Sequence, residues 1–310
     1  MHRKLLTVTI LLLAICSIAS AQVAKDIQYA SSSAVQPVET QLYSSTAEDI
    51  ALAKLVMQEL GAQPAATPGA NLMVRAARRL LGQKYVSGTQ EGREERLRIY
   101  LTRTDCILFA ETCLGLVQTV QRCGPGATFE DLARTLRASR YRGGTPDGYA
   151  SRLHYTTEWI AQGVREGLFE DITERLGGIP DTRPINFMST HPDSYAPLKG
   201  ESPSAQRMRA AITAVEQEVS RLPRRYIPRD RLAAAEGQIR SGDILCFATS
   251  IEGLDYSHVV IAYREREGAP LGFIHASSAA GEVIIEPRSL EAYLQANRRI
   301  SGVTVLRLTR

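Results

Sequence analysis

The residues best suited to chemistry are one cysteine and two histidines. Leu101-Thr102-Arg103-Thr104-Asp105-Cys106-Ile107-Leu108-Phe109-Ala110-Glu111 passes from a polar turn into an apolar-periodic helix, with the thiol at its start. Thr104 or Asp105 can cap the free amides there, which puts Cys106 in the first turn. The partial positive charge of a helix start favours thiolate over thiol, and the thiolate is the nucleophile. Far downstream, Tyr256-Ser257-His258-Val259-Val260-Ile261-Ala262-Tyr263 reads as a buried strand with a histidine near its beginning. Phe273-Ile274-His275-Ala276-Ser277-Ser278 reads as the next strand, with a second histidine. His258 at the end of a sheet can serve as a base. His275 can bond its other nitrogen, fixing the tautomer so that the free nitrogen faces Cys106. Cys, then His, then a polar orienting group is the order of a thiol-based hydrolytic triad. The ordinary alternatives are a buried core thiol, a half-buried strand histidine and a structural histidine.

The elements that must position these groups fall into two blocks. Ser45-Thr46-Ala47-Glu48 opens a helix through Leu60, ended by Gly61. A Pro-rich break from Gln63 to Pro68 leads to a second helix, Asn71 to Leu81. Tyr85 to Thr89 is extended or a turn, and Leu97 to Leu101 reads as a strand. The nucleophile helix runs from Cys106 to about Arg122, stopped by Gly124-Pro125, and Phe129 to Arg140 is another amphipathic helix. Tyr149 to Gly163 contains a helix carrying His154, Tyr155 and Trp159, residues 177–202 read as an irregular excursion, and Ser204 to Arg221 is helical. From Ile239 the pattern turns to strands: Ile244 to Phe247, Val259 to Tyr263, Gly272 to Ala276, Val283 to Ile285 and Val303 to Leu308. A short helix, Ser289 to Gln295, precedes the last. Helices followed by successive strands predict an α+β domain, a helical N-terminal half packed on a mainly antiparallel sheet.

The chain begins with features of an export signal. His2-Arg3-Lys4 is a positive start, Leu5 to Ile18 an apolar core, and Ala19-Ser20-Ala21 a small-residue cleavage site. The apolar run is short for a membrane span. Cys16 raises lipoprotein anchoring, but Ile15 stands where a small residue should precede an acylated cysteine, so plain export is favoured. Residues 1–21 are thus a cleaved signal peptide, 22–66 an N-terminal linker and helix, and 67–310 one domain acting in the periplasm or outside the cell. With 37 Lys and Arg against 33 Asp and Glu, the net charge of +4 is spread along the chain; that suits a soluble protein meeting an anionic polymer but is far too weak to argue for nucleic acid, which is not expected as a partner. An exported chain can oxidise its thiols, which leaves Cys113–Cys123 open as a disulfide; buried free thiols at Cys113 and Cys246 are the alternative. Neither Cys-x-x-Cys nor His-Glu-x-x-His is present, so no metal or other cofactor is expected.

Several segments, in order, resemble a known group: Tyr85-Val86-Ser87-Gly88-Thr89, Thr104-Asp105-Cys106, Arg152-Leu153-His154-Tyr155 with Glu158-Trp159-Ile160, Phe187-Met188-Ser189-Thr190-His191-Pro192, Gly242-Asp243-Ile244, Ser257-His258 and His275-Ala276-Ser277-Ser278. From about residue 70 to the C-terminus the chain resembles the N-acetylmuramoyl-L-alanine amidase-like family, within the NlpC-type, papain-like cell-wall cysteine hydrolases. The resemblance implies a papain-like fold, a Cys106/His258/His275 triad, no metal in the reaction and a peptidoglycan fragment as substrate. Ile107-Leu108 departs from the small polar pair that usually follows the nucleophile in the broad superfamily.

Specificity must come from other residues. Tyr85 and Trp159 can wall a sugar or stem peptide, or pack in the core. Asp105 can receive a substrate amine or amide, or simply cap the helix. Arg152 can pair with a stem-peptide carboxylate, or with a surface neighbour. His154 and Ser257 complete the set of substrate-binding candidates, and His191 is unassigned. Three functions compete: an amidase separating muramic acid from the peptide, an endopeptidase at the D-glutamyl–diaminopimelyl bond, and a non-catalytic peptidoglycan-binding module. A monomer working on soluble muropeptides, without a stable membrane span, is expected.

Overall fold

The computed structural model describes residues 37–92 and 94–309. The signal peptide read over residues 1–21, Cys16 and most of the N-terminal linker lie outside them. Among the described residues, β1 (Pro37–Glu39) and β2 (Ser44–Thr46) form a separate antiparallel pair. The main sheet comprises β3 (Lys84–Tyr85), β4 (Arg103–Thr104), β5 (Phe169–Asp171), β6 (Ile179–Pro180), β7 (Arg225–Pro228), β8 (Ile244–Thr249), β9 (Tyr256–Tyr263), β10 (Gly272–Ser277), β11 (Glu282–Ile285) and β12 (Ile300–Leu308). Its order is β4-β3-β11-β10-β9-β8-β12-β7-β6, with β5 also paired to β12. Only β3 and β4 run parallel; every other pairing is antiparallel. The mixed α/β architecture with a mainly antiparallel sheet is therefore present.

Both faces of the central strands are covered, which explains their nearly unbroken apolar runs. Side chains alternate along a strand. Ile244, Cys246, Val259, Ile261 and Ile274 pack under the helical layer. Leu245, Phe247, Val260, Ala262 and Phe273 face the other way, onto Leu232 and onto Leu290 and Leu294 of the helix Leu290–Ala296. The helix Cys106–Cys123 lies on the first face, against β9 and β10. A third cluster, including Tyr155, Met188, Ile212 and Val215, fills the lobe between Tyr149 and Leu222.

The N-terminal helix Ala47–Gly61 belongs to the main body. Its Ala53, Val56, Met57 and Leu60 share one core with Phe109, Cys113 and Val117 of the helix Cys106–Cys123. A boundary at residue 66 therefore does not separate two cores. Asp49, in the first turn of the N-terminal helix, is fully buried and reaches across to the chain leading to Cys106. One carboxylate oxygen accepts from the Leu101 and Thr102 amides and the Thr102 hydroxyl, each at 2.8 Å. The other accepts from Thr46 Oγ1 at 2.6 Å.

Those bonds explain the first departure from expectation. Leu97, Ile99 and Leu101 alternate inward as a strand would, yet the segment forms only an isolated bridge from Arg98 to Ser44. Its only ladder partner is Ser44, whose amide donates to the Leu97 carbonyl at 2.8 Å and whose carbonyl accepts from Ile99 at 2.9 Å; beyond that bridge Asp49 takes the Leu101 and Thr102 amides that a longer partner strand would have held. Second, the helix expected within Tyr149 to Gly163 begins at Thr156, so it carries Trp159 but not His154 and Tyr155, which precede it. The Asp255 carboxylate accepts the Thr157 amide at 2.7 Å and satisfies the first turn from outside. Third, Cys113 and Cys123 are both free. They lie on one helix, ten residues or ~15 Å apart by helical rise, well beyond disulfide reach. Among the described residues, no helix is long and apolar enough to cross a membrane.

Candidate active site

Cys106 is the first residue of its helix and Asp105 is the cap. The Asp105 carboxylate accepts the Leu108 amide at 3.0 Å, and its carbonyl accepts the Phe109 amide at 3.0 Å. Thr104 does not cap; its hydroxyl bonds the Asp105 carbonyl, and its own carbonyl accepts from Val86 at 2.9 Å. Through β3 and β4, Tyr85 pairs with Thr104 two positions before the thiol. The helix start is thus held by its cap, by β3 and by Asp49.

The charge state of Cys106 departs from expectation. Burial pushes its thiol up to about 12, and the neighbouring Asp105 carboxylate adds to the effect. Backbone amides of Val259, Ile107 and Cys106 itself pull the other way but do not prevail. The helix start favours the anion as expected; desolvation outweighs it. Burial likewise raises the Asp105 carboxyl to about 6, despite the Leu108 amide it accepts. The Tyr85 hydroxyl is also raised, by burial first and then by Cys106 and Asp105.

The two histidines meet as the sequence order anticipated. His258 Nε2 lies 2.6 Å from His275 Nδ1, with the rings edge-on, 4.9 Å apart. His258 Nδ1 is therefore the nitrogen not engaged by its neighbour. The strand register shifts between Phe247 and Ala248, pairing Phe247 with His258 and Ala248 with Tyr256. Ser257 is the extra residue of this bulge and is exposed beside His258. Burial lowers His258 to about 3, with His275 adding to the shift. Burial also lowers His275 to about 4, against the pull of Glu286. Both rings are neutral at pH 7. Sequence reasoning missed Glu286, which is buried and lies 3.4 Å from His275 Nε2. The available signal was a Glu-x-Arg closing the strand beside the one that bears His275.

Asp105, Arg152, His154 and Trp159 come together around one cavity of about 220 Å³ that adjoins the helix Cys106–Cys123. Arg152 does not present a free guanidinium there. It is buried, 2.7 Å from Glu91 and 3.5 Å from Glu95, and lies over the Tyr149 ring. Beside it, Arg140 is bound to Glu111 at 2.6 Å and to Gln90 at 2.9 Å. His154 Nε2 sits 2.7 Å from the Tyr149 carbonyl, so that nitrogen carries the proton and Nδ1 is an acceptor. Burial holds His154 near 3, hence neutral. Trp159 is buried and packs on Phe169, with part of its surface in the cavity.

His191 stays outside this group, exposed and stacked on Phe187. A larger groove of about 520 Å³ lies between the first two long helices and contains none of the candidate residues. Among the described residues, no group of three or more His, Cys, Asp or Glu side chains is placed to hold a metal ion.

A thiol at a helix start, within reach of the Val259 amide next to His258, together with the hydrogen-bonded pair His258 and His275, is the candidate site for chemistry among the described residues. The chain belongs to the N-acetylmuramoyl-L-alanine amidase-like family, designated AmiA-like, which matches residues 75–303. It is similar in structure to an N-acetylmuramoyl-L-alanine amidase from Bacteroides uniformis, at 32% identity and a TM-score of 0.71, covering 78% of this chain and 99% of that one. A Bacteroides fragilis protein carrying the provisional name of a xylanase is similar at 34% identity and a TM-score of 0.67, covering 75% and 99% of the two chains. The Legionella pneumophila protein LPG0564, at 21% identity and a TM-score of 0.63 over 84% and 96%, shares the fold. No curated protein matches the chain.

Proposed function

We propose that this protein is an exported cysteine amidase of papain-like, NlpC-type fold. It cleaves the amide between N-acetylmuramic acid and L-alanine in peptidoglycan fragments. Family membership and the likeness to an N-acetylmuramoyl-L-alanine amidase support the substrate. The observation that carries the chemistry is the 2.6 Å bond between His258 Nε2 and His275 Nδ1, which leaves His258 Nδ1 as the base. The positive start, apolar core and small-residue site of residues 1–21 support export. A glycosidase needs two free carboxyls flanking the bond. Of the three carboxyls lining the cavity, Glu91 and Glu111 are engaged by Arg152 and Arg140, which leaves Asp105 alone.

In this reaction His258 Nδ1 takes the thiol proton as Cys106 Sγ attacks the lactyl carbonyl carbon. Backbone amides at the helix start, including that of Cys106, receive the developing oxyanion. Collapse breaks the C–N bond, and His258 returns the proton to the departing alanine nitrogen. The muramyl thioester is then attacked by water, whose proton passes through His258 to the Cys106 sulfur as the C–S bond breaks. Because Cys106 and His258 rest uncharged, the proton moves as the nucleophile attacks rather than beforehand. Asp105, His154 Nδ1 and the exposed part of Trp159 line the space beside the scissile bond.

The test is mass spectrometry of products from the mature protein and Cys106→Ala incubated with defined muropeptides. Free stem peptide plus a peptide-less sugar, absent with the variant, is expected. Alanyl-glutamate fragments would move the cut to the endopeptidase position, and no cleavage by either protein would leave a binding role.

A further inference from the structure

The histidine pair continues into a carboxylate that the thiol chemistry does not touch. His275 Nε2 lies 3.4 Å from Glu286 Oε2, with both side chains buried. The alignment falls short of a hydrogen bond, and His275 Nε2 has no other partner. Glu286 is clamped from its other side. Arg288 Nε donates to Oε1 at 2.6 Å, and the guanidinium lies 4.6 Å over the ring of Tyr293. Tyr293 packs edge-on against Phe273, whose carbonyl accepts the Glu286 amide at 3.0 Å.

We infer that Glu286 is a positioning residue that sets the tautomer of both histidines and thereby leaves His258 Nδ1 free to take the thiol proton. An ionised carboxylate only accepts hydrogen bonds, so the nitrogen facing it carries the proton. His275 is then Nε2–H, and its bare Nδ1 accepts. At 2.6 Å from that Nδ1, His258 Nε2 donates. A neutral imidazole has one proton, so His258 Nδ1 is bare. Reverse the first proton and every later assignment reverses: His258 would present Nδ1–H to Cys106 and could not act as a base. Burial works against ionising Glu286, but the Arg288 side-chain and backbone donors outweigh it and hold the carboxyl below its ordinary value. This role rests on Cys106 and His258 reacting as proposed above.

Glu286→Gln tests it in the full mature protein. Arg288 will keep the amide oxygen, turning the amide NH2 toward His275 and forcing that ring to accept. A wrong tautomer next to a nucleophile costs on the order of 10⁴ in turnover when the orienting group touches the base. Acting through one more ring, the loss expected here is about 100-fold in kcat with KM within about threefold. Iodoacetamide alkylation of Cys106 at pH 7 slows about tenfold, a readout independent of the substrate. Long-range proton–nitrogen NMR, assigned with His258→Ala and His275→Ala, reads His275 as Nε2–H in the wild type and Nδ1–H in the variant. A loss of folding alone would not move that signature. A folded Glu286→Gln protein with wild-type alkylation and unchanged tautomers overturns the inference. Should the variant not fold, the wild-type spectrum decides: His275 found as Nδ1–H overturns it as well. Cys106→Ala separates the two levels, because full turnover in that variant refutes the nucleophile whatever the spectra show.

Discussion

The two walls beside the helix start handle charge in opposite ways. On the histidine wall Cys106, His258 and His275 rest uncharged: burial raises the Cys106 thiol to about 12 and lowers His258 to about 3 and His275 to about 4. On the cavity wall the ionic groups stay ionic by pairing: Arg152 with Glu91 and Glu95, Arg140 with Glu111. A reactive group gains from an unpaired resting state, since its charge develops only as bonds change. A wall that shapes substrate gains from locked geometry, and buried ion pairs supply it at a desolvation cost. Asp105 belongs to both walls, capping the helix Cys106–Cys123 and lining the cavity.

The largest effects expected are on the histidine wall. Cys106→Ala and His258→Ala each lower kcat/KM by about 10⁴ or more. The denaturant midpoint barely moves for Cys106→Ala, whereas His258→Ala loses about 1–3 kcal/mol because His275 Nδ1 is left buried without its partner. Retention of even a tenth of wild-type turnover in either would break the contrast, because that wall would then not be the reacting one. Next is Glu111→Ala on the cavity wall, which leaves the Arg140 cation buried and unpaired. Removing one partner of such a pair costs about 3–5 kcal/mol, read as a lower urea midpoint. A shift below about 1 kcal/mol would mean that the pairing does not hold the wall. Acid should expose the neutral histidines. They titrate near ~6.5 in an unfolded chain, and near 3 and 4 in the fold. Between those values the unfolded chain binds more protons, so the contribution of these two rings is full above pH ~6.5 and is lost as pH drops toward 4, opposed in part by Asp105, whose raised carboxyl takes up its proton in the fold first. His275→Gln should flatten that slope in urea titrations at stepped pH.

The same contrast explains what was legible in the sequence. The helix start that carries Cys106 is written locally: Asp105 caps, Cys106 follows, and the apolar period of Ile107 to Val120 defines the helix face. Neighbouring antiparallel strands made the meeting of His258 and His275 readable too. Glu286 was not readable, because its role depends on β11 register and on an arginine two residues on, a pattern common on any strand end. Asp49 was hidden for the same reason, since its partners at Leu101 and Thr102 lie about fifty residues away. The charge state of Cys106 was misjudged because a sequence shows the helix start but not how much water surrounds it. Arg152 looked like a ligand for a carboxylate; the carboxylates it holds, Glu91 and Glu95, belong to the protein itself.

The smallest expected effect falls where the walls join. Asp105→Asn keeps a capping side chain, so the helix start should persist with only tenths of a kcal/mol lost. It removes the carboxylate that raises the Cys106 thiol. That carboxyl ionises at about 6, so the variant should match the wild type in acid and gain only above that point. Alkylation of Cys106 by iodoacetamide, followed from pH 4.5 to 8.5, is therefore expected to show a variant-to-wild-type ratio near one below pH 5 and about threefold above pH 7. If Asp105 also receives the substrate amide, the same variant turns over more slowly while its thiol reacts faster with the small reagent. Faster alkylation together with faster turnover would assign Asp105 to capping alone, and would leave recognition to the remainder of the cavity wall.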